Sequence, residues 1–221
     1  MTGRPLALDL FCCAGGAAMG LHRAGFDVVG VDIRPQPRYP FRFVQADALA
    51  LPFDLARFAF IWASPPCQKF SRISHLTPDR CARRDEHVDL IEPVRAMLQA
   101  SGRPWAIENV PGAPIRPDLV LTGAMFGLRV IRERWFELSF FALQPPVVRP
   151  KRNATRRGEF VTLTGNLWQE TTGSRVSMAE ARAAMDTPWM LKREIVQAVP
   201  PAYGELIGRA ALAELRVEAA A

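Results

Sequence analysis

Short apolar runs alternate with amphipathic or polar stretches through the first 140 residues, the pattern that repeated βα units make. LALDLF (6–11) reads as a buried strand, GAAMGLHRAG (16–25) as a helix closed by Gly25, and DVVGVDI (27–33) as a second strand. FRFVQAD (41–47) and FAFIWAS (58–64) follow as a third and a fourth. HVDLIEPVRAMLQA, about 87–100, has helical periodicity, and Pro93 inside it should kink the helix or move its start. The turn SGRP then leads into a fifth strand, WAIENV (105–110), and GLRVIRERWFEL (127–138) reads as strand-rich. The predicted fold class is α/β, a doubly wound and mostly parallel sheet.

Beyond residue 140 the pattern changes. Prolines cluster in QPPVVRP (144–150), FVTLTGNLW (160–168) holds one short strand, and Ser177 with Glu180 makes a capping-box signature for a helix. In the tail, PPAYGELIGRAALAELRVEAA, the apolar positions Tyr203, Leu206, Ile207 and Ala210 recur at helical spacing. This predicts an α/β catalytic and cofactor-binding domain over 1–141, a small irregular subdomain over 142–190, and helices over 191–221 that complete the first unit.

Composition narrows the class. A chain of 221 residues is most simply one domain with enough length for a sizeable core, and about half of it is hydrophobic. No apolar run approaches the roughly 18–20 residues of a membrane span. The start, MTGRPLALDLF, places one Arg before a short apolar stretch that contains Asp9, a poor secretory signal, so a cytoplasmic protein is expected. Four cysteines, Cys12, Cys13, Cys67 and Cys81, show no CxxC spacing, and reduced thiols are the expectation. His22, His75 and His87 show no pairing, so no metal centre is expected. The net charge of +6 points toward a polyanionic partner, and RPKRNATRR (149–157) holds five basic residues in nine positions with no acid. A merely solvated loop would look the same.

Two stretches carry candidate chemistry. DLFCCAGGAAMG joins the first strand to the first helix, where an open parallel sheet binds nucleotide-like ligands. Gly15 and Gly16 let backbone N–H groups approach a ligand, but the spacing is not GxGxxG, which disfavours a nicotinamide or flavin. Asp32 ends the second strand, where an acid can take ribose hydroxyls, and Asp47 ends the third, where a carboxylate can accept from an adenine amino group. Singly, each acid is an ordinary polar strand terminus; with Gly15 and Gly16 in register they point to an adenosyl ligand. The second stretch is IWASPPCQKFSR (61–72), whose Cys67 is either inert filling or a nucleophile held on a stiff loop.

The ordered set DLFCCAGG (9–16), SPPCQKFS (64–71), ENV (108–110), RERWFEL (132–138) and QAVPPAYGELIG (197–208) resembles the cytosine-5 methyltransferase family, over about residues 6–140 and 190–212. The resemblance implies a Rossmann-like fold, S-adenosyl-L-methionine as methyl donor, and double-stranded DNA as substrate, with the target cytosine flipped out of the stack. It makes Cys67 the nucleophile that adds to cytosine C6, with Pro65 and Pro66 fixing its backbone and Pro66 lining the pocket. It places Glu108 on the N3 and amino edge of the ring, Asn109 in the loop beside it, and Arg134 at the O2 edge. Arg132 would hold that loop, reach a phosphate, or form a plain salt bridge. On the cofactor side it implies Phe11 packing on adenine, Asp32 on the ribose and Asp47 on adenine, with Ile33 and Ala48 counted into the same pocket. Gln68, Ser71 and Arg72 would face DNA after the nucleophile, and Arg152, Arg156 and Arg157 would contact phosphates.

The chain departs from the family's pattern at three places. Cys13 stands where glycine is usual, which would make a positive φ costly; packing into the core is the expected role for its side chain, with altered cofactor geometry the other reading. Gln197 stands where asparagine is usual, retaining the amide one methylene further out. The stretch between RER and QAVPP is only about sixty residues, short for groove readout, so short or loose sequence specificity is expected. A monomer is expected, and no membrane contact. Two other readings stay open: the same chemistry on a free cytosine nucleotide or RNA, and a catalytically silent DNA- or cofactor-binding protein.

Overall fold

The computed structural model describes residues 3–67, 70, 88–151, 154–155, 157–163, 168–169 and 174–219. In chain order they form β1 (Leu6–Leu10), α1 (Gly16–Ala24), β2 (Asp27–Asp32), β3 (Arg42–Gln45), β4 (Phe60–Ala63), α2 (Ile91–Ala100), β5 (Trp105–Asn109), β6 (Leu119–Leu121) and β7 (Arg134–Leu138). There follow β8 (Trp168–Gln169), β9 (Ser174–Arg175), α3 (Met178–Met185), α4 (Lys192–Ile195) and α5 (Pro201–Glu218).

Seven strands make one sheet in the order β3-β2-β1-β4-β5-β7-β6. The five on the β3 side run parallel, and β7 runs antiparallel between β5 and β6. Strands covered on both faces read as continuous apolar runs, which is why β1, β4 and β5 carry so few polar residues. Side chains alternate between the faces. Ala7, Phe60, Trp62, Ala106 and Phe136 pack with Tyr203 and Ile207 on the side of α1 and α5. Leu8, Leu10, Ile61 and Ile107 pack with Val94 and Leu98 of α2 on the other. The polar exceptions inside β1 and β5, Asp9, Glu108 and Asn109, are all buried.

Helices α1 and α5 pack closely enough that only glycine fits at the contact. A Cβ at Gly20 would lie 2.0 Å from the Pro201 carbonyl oxygen, and one at Gly204 would lie 2.5 Å from that of Ala17. A third apolar cluster joins Val161, Leu163, Val176, Ala181 and Met185 to Ala14, Val130, Ile195 and Ala198.

Several sequence expectations shift in detail. The first strand stops at Leu10, because Phe11 turns into the left-handed region at φ 57°. Helix α2 begins at Ile91 rather than 87, so Pro93 falls in its first turn, where its missing N–H would have no intrahelical partner anyway. Asp89 accepts from the Ile91 N–H at 2.9 Å and closes that end. Instead of one strand over 160–168, Val161 makes an isolated bridge to Val130, and Trp168–Gln169 pairs with Ser174–Arg175. Ser177 caps α3 by accepting from the Glu180 N–H at 3.1 Å. Along α5, Tyr203, Ile207 and Ala211 form the buried stripe, while Leu206 and Ala210 lie at its half-buried margin.

Strand β6 was not foreseen, since three residues are too few to show a period. It is an edge strand, and the side-chain amide of Gln144 mimics a partner's peptide group there: Gln144 accepts from the Val120 N–H at 2.7 Å and donates to its carbonyl at 3.2 Å. An edge filled in this way offers less to a foreign strand.

Candidate active site

The carboxyl ends of the five parallel strands and the start of β7 share one edge of the sheet. After β1 the chain builds outward through β2 and β3, then returns to the other side with β4; ligands bind at such a reversal. The loops leaving β1 and β4 meet there, the Ser64 N–H donating to the Leu10 carbonyl at 3.1 Å.

The loop between β1 and α1 alternates handedness: Phe11, Cys13 and Gly15 all have positive φ, at 57°, 44° and 79°. Left-handed geometry is easy for glycine and costs other residues on the order of 1 kcal/mol. Asp32 holds the loop in this shape, accepting from the Cys13 N–H at 3.0 Å and the Arg34 N–H at 2.9 Å. Its carboxylate thus ties the ends of β1 and β2 together and keeps lone pairs for a further donor. Asp47 is exposed; one oxygen accepts from the Leu49 N–H at 2.9 Å, and the other takes no bond from the described residues. Ile33, beside Asp32, is 66% exposed, and Phe11 is half-buried. Two carboxylates with spare lone pairs, flanked by an open aliphatic and an aromatic side chain, fit an adenosyl group with its ribose hydroxyls and apolar ring faces. Two of these positions also carry packing. The Ala48 side chain is buried in the α2-side core, so only its backbone can serve a pocket. Gly16 has a packing reason as well: a Cβ there would lie 2.2 Å from the Val199 carbonyl oxygen.

The other half of the site is made of buried charge. Glu108 is 6% exposed at the end of β5, and its Oε1 lies 2.8 Å from Arg134 Nε at the start of β7. The antiparallel register opposes Glu108 to Phe136, so Arg134, two residues earlier, is its diagonal neighbour on the same face. Cys67 follows buried Pro65, whose carbonyl accepts from Asn109 Nδ2 at 3.1 Å, so β5 holds the cysteine's loop as well as Glu108. Burial pushes the Cys67 thiol up and the Glu108 charge pushes it further, while Arg134 and then Arg132 pull it back. The free protein therefore carries a protonated thiol next to a carboxylate and two guanidinium groups.

Arg132 forms no salt bridge among the described residues. It is 7% exposed; its Nε donates to the Ala198 carbonyl at 3.1 Å and its Nη2 to the Val196 and Ala198 carbonyls at 2.8 and 2.7 Å. These bonds hold the 196–198 segment, which is none of the roles expected for Arg132, and such burial keeps it from a surface phosphate. Tyr203 closes the arrangement from α5, its hydroxyl donating to the Arg132 carbonyl at 2.5 Å. Burial, with the charge of Arg134, lowers the Arg132 guanidinium to about 9.

The first two departures noted in the sequence meet in space. The Cys13 Sγ lies 4.0 Å from Gln197 Oε1. Cys13 is half-buried and belongs to none of the three apolar clusters, so its expected place in the core is not what the fold provides. Burial, with Asp32 next, raises its thiol to about 12, so it is neutral near pH 7.

No sequence-family profile matches the chain, and no curated protein matches it by sequence. Solved structures do. The chain is similar to a Spodoptera frugiperda DNMT2 mutant at 11% identity and TM-score 0.62, covering 94% of this chain and 99% of that one. An E. coli prophage protein described as a DNA modification methyltransferase matches at 16% identity and TM-score 0.58, over 96% and 99% of the two chains. The Dnmt2 methyltransferase of S. pombe matches at 13% and 0.56, over 98% and 99%. The fold is the Rossmann-like fold of S-adenosylmethionine-dependent methyltransferases. At such identities the likeness concerns the fold alone.

Within this methyltransferase fold, the described part of the basic run leaves the sheet beside the start of β7. Thr122, just past β6, donates to the Val148 carbonyl, and Arg149 pairs with Glu133 at 2.9 Å, one residue from Arg134. Arg157 is exposed and lies 3.6 Å from Glu159. Gln68, Ser71, Arg72, Arg152 and Arg156 lie outside the described residues. Among the described residues no group of three His, Cys, Asp or Glu is disposed to hold a metal ion, and no helix is long and apolar enough to cross a membrane. Sequence reasoning missed the contact of Arg132 with residues 196–198, and Tyr203 behind it. The only signal was the position of Tyr203 on the buried stripe of the last helix.

Proposed function

We propose that this chain transfers a methyl group from S-adenosylmethionine to C5 of cytosine in DNA, through a covalent bond between Cys67 and C6. The observation that carries the reading is the buried Glu108–Arg134 pair with the Cys67 thiol electrostatically coupled to both. Bound S-adenosylmethionine supplies an electrophilic methyl on a sulfonium centre; Phe11, Asp32, Ile33 and Asp47 would hold its adenosyl part, with Pro66 lining the pocket and Cys13 and Gln197 at its rim.

Cytosine C5 is too weak a nucleophile to react unaided. Glu108, on the N3 and amino edge of a flipped-out base, holds a proton at N3 and draws electron density from C6. The Cys67 sulfur, its proton given up to solvent, bonds to C6, and the C5–C6 π electrons make C5 enamine-like. C5 takes the methyl as the sulfonium S–CH3 bond breaks and S-adenosylhomocysteine leaves; loss of the C5 proton to solvent then re-forms the C5–C6 double bond and expels the sulfur. Cysteine suits both steps because a thiolate attacks well and leaves well. Arg134 keeps Glu108 from being an uncompensated buried charge, and Arg132 fixes the segment around Gln197.

A duplex carrying 5-fluorocytosine tests this directly, since fluorine cannot leave as a cation and the adduct persists. With S-adenosylmethionine present, wild type should give a denaturation-resistant protein–DNA band and Cys67→Ser none. Labelled methyl entering RNA or a free cytosine nucleotide but not DNA would move the same chemistry to another substrate. DNA binding with no transfer, unchanged by Cys67→Ala, would leave a silent binding protein.

A further inference from the structure

The loop RPQPRYPF (34–41), between β2 and β3, contains a buried tyrosine that the functional reading does not use. Tyr39 is 8% exposed. Its ring lies between two glycines from different segments. A Cβ at Gly30, in the middle of β2, would lie 2.3 Å from the ring's Cζ and 2.6 Å from its Cε1. A Cβ at Gly15, in the loop after β1, would lie 3.0 Å from Cδ2 and Cε2 of the same ring and 2.8 Å from Cδ of Pro40. The hydroxyl reaches inward and donates to Asp9 Oδ2 at 3.4 Å, and Phe41 meets the ring edge-on at 6.0 Å.

The neighbouring residue braces the same loop from outside. Arg38 makes a bidentate pair with Glu194, at 2.9 Å from Nε and 2.7 Å from Nη2 to Oε1. Glu194 in turn accepts from the Leu191 N–H, and its carbonyl accepts from the Gln197 N–H at 3.1 Å. One short loop therefore touches the left-handed turn that opens α1, the floor of β2, and the segment that carries Gln197.

We propose that Tyr39 is a positioning residue for the cofactor end of the site, its ring serving as the template on which the 11–15 loop keeps its left-handed shape. The inference rests on the reading of that loop as the S-adenosylmethionine pocket. The physical basis is close packing: a flat, rigid ring fills the space left by the absent side chains of Gly15 and Gly30, and a loop with three positive φ values persists only when its surroundings over-determine it. A smaller side chain would leave room for the loop to relax away from the geometry in which Asp32 accepts from the Cys13 N–H.

The test is calorimetric binding of S-adenosylhomocysteine, with DNA affinity measured beside it. Tyr39→Phe keeps the ring and should stay within about threefold of wild type, because the hydroxyl's bond to Asp9 is long. Tyr39→Leu should weaken S-adenosylhomocysteine about tenfold or more while DNA affinity changes less than about twofold, a split that general loosening would not give. Gly30→Ala, in the middle of β2, should also weaken the ligand by pushing the ring. The double variant Gly30→Ala with Tyr39→Leu, which returns volume to the same space, should recover part of the loss, and it serves as the measurement if either single variant fails to fold. Wild type that does not bind S-adenosylhomocysteine at all would sink the cofactor reading itself. Wild type that binds, with folded Leu and double variants that bind equally well, would overturn the role of Tyr39.

Discussion

At the carboxyl ends of β1, β2 and β3 the site is made of backbone, whereas at β4, β5 and β7 it is made of buried charge. The first half depends on three positive φ angles and on carboxylates whose bonds go to backbone N–H groups of the loops around them. Its acids stay partly or fully exposed. The second half buries Glu108 and Arg132 and nearly buries Arg134, and only one pair among the three is a salt bridge. Arg132 is held by carbonyl oxygens alone among the described residues, an arrangement that costs desolvation without a compensating negative charge. On the proposed function, the neutral adenosyl part of the donor needs shape and acceptors, and attack on the base needs charge held away from water, where it acts with little screening.

The sharpest way to break this comparison is to disable one half and ask whether the other notices. Cys67→Ser should abolish covalent trapping and lower methyl transfer by on the order of a thousandfold or more, with S-adenosylhomocysteine affinity within about twofold of wild type. Calorimetry beside a transfer assay reads both, and a parallel loss of affinity would show that the halves are not separable. Raising the pH should speed trapping by wild type, because the thiol is held above its ordinary value and only the thiolate attacks.

Arg132→Met should cost about 2–4 kcal/mol in urea-induced unfolding, since it strips the donors from two carbonyls inside the protein. A loss near zero would mean that solvent replaces the guanidinium easily and that the reacting half is less dry than its exposure indicates.

A third probe uses Asp9, buried in β1 beneath the backbone-built half. Burial raises its carboxyl to about 8, from an ordinary value near 3.8 in the unfolded chain. The folded state thus binds the extra proton between those values. Its contribution to stability is fully present below the unfolded value and is lost as the pH rises through the folded one. Wild type should lose thermal stability between about pH 4 and pH 8 more steeply than Asp9→Asn, which has no proton to lose. Equal slopes in thermal melts would show that Asp9 is ionised in the fold.

The smallest effect is expected at Cys13. Cys13→Gly relieves a left-handed residue worth about 1 kcal/mol but adds about the same freedom to the unfolded chain, so net stability should move by less than about 0.5 kcal/mol. A larger gain would show that the 11–15 loop carries more strain than its angles imply.

Legibility differed between the halves for a physical reason. The elements of the backbone-built half lie within the first fifty residues, and DLFCCAGG, Asp32 and Asp47 mark it through local rules: a turn that needs small residues, and acids that end strands. The half built of buried charge draws on residues 67, 108, 132–134 and 196–203, which no period or spacing connects. Resemblance named Cys67, Glu108 and Arg134, but it left Arg132 among three roles, none of which was to hold the Val196 and Ala198 carbonyls. Tyr39 carried no signal, since one aromatic in a proline-rich loop looks like any other until two glycines are found against it. The end of β1 and the start of α2 shifted because a positive φ and the tolerance of a first turn for proline are properties of the formed backbone.

What the chain alone determined was the α/β order, the parallel strands with their apolar runs, and the stretches where chemistry could sit, because period-two and period-3.6 patterns answer to burial one element at a time. Tertiary structure alone decided which charges face each other, which carbonyls receive Arg132, that Cys13 and Gln197 are neighbours, and that Tyr39 lies against the 11–15 loop. Those contacts join segments far apart in sequence, and close packing selects them only when the whole sheet and both helical layers are in place.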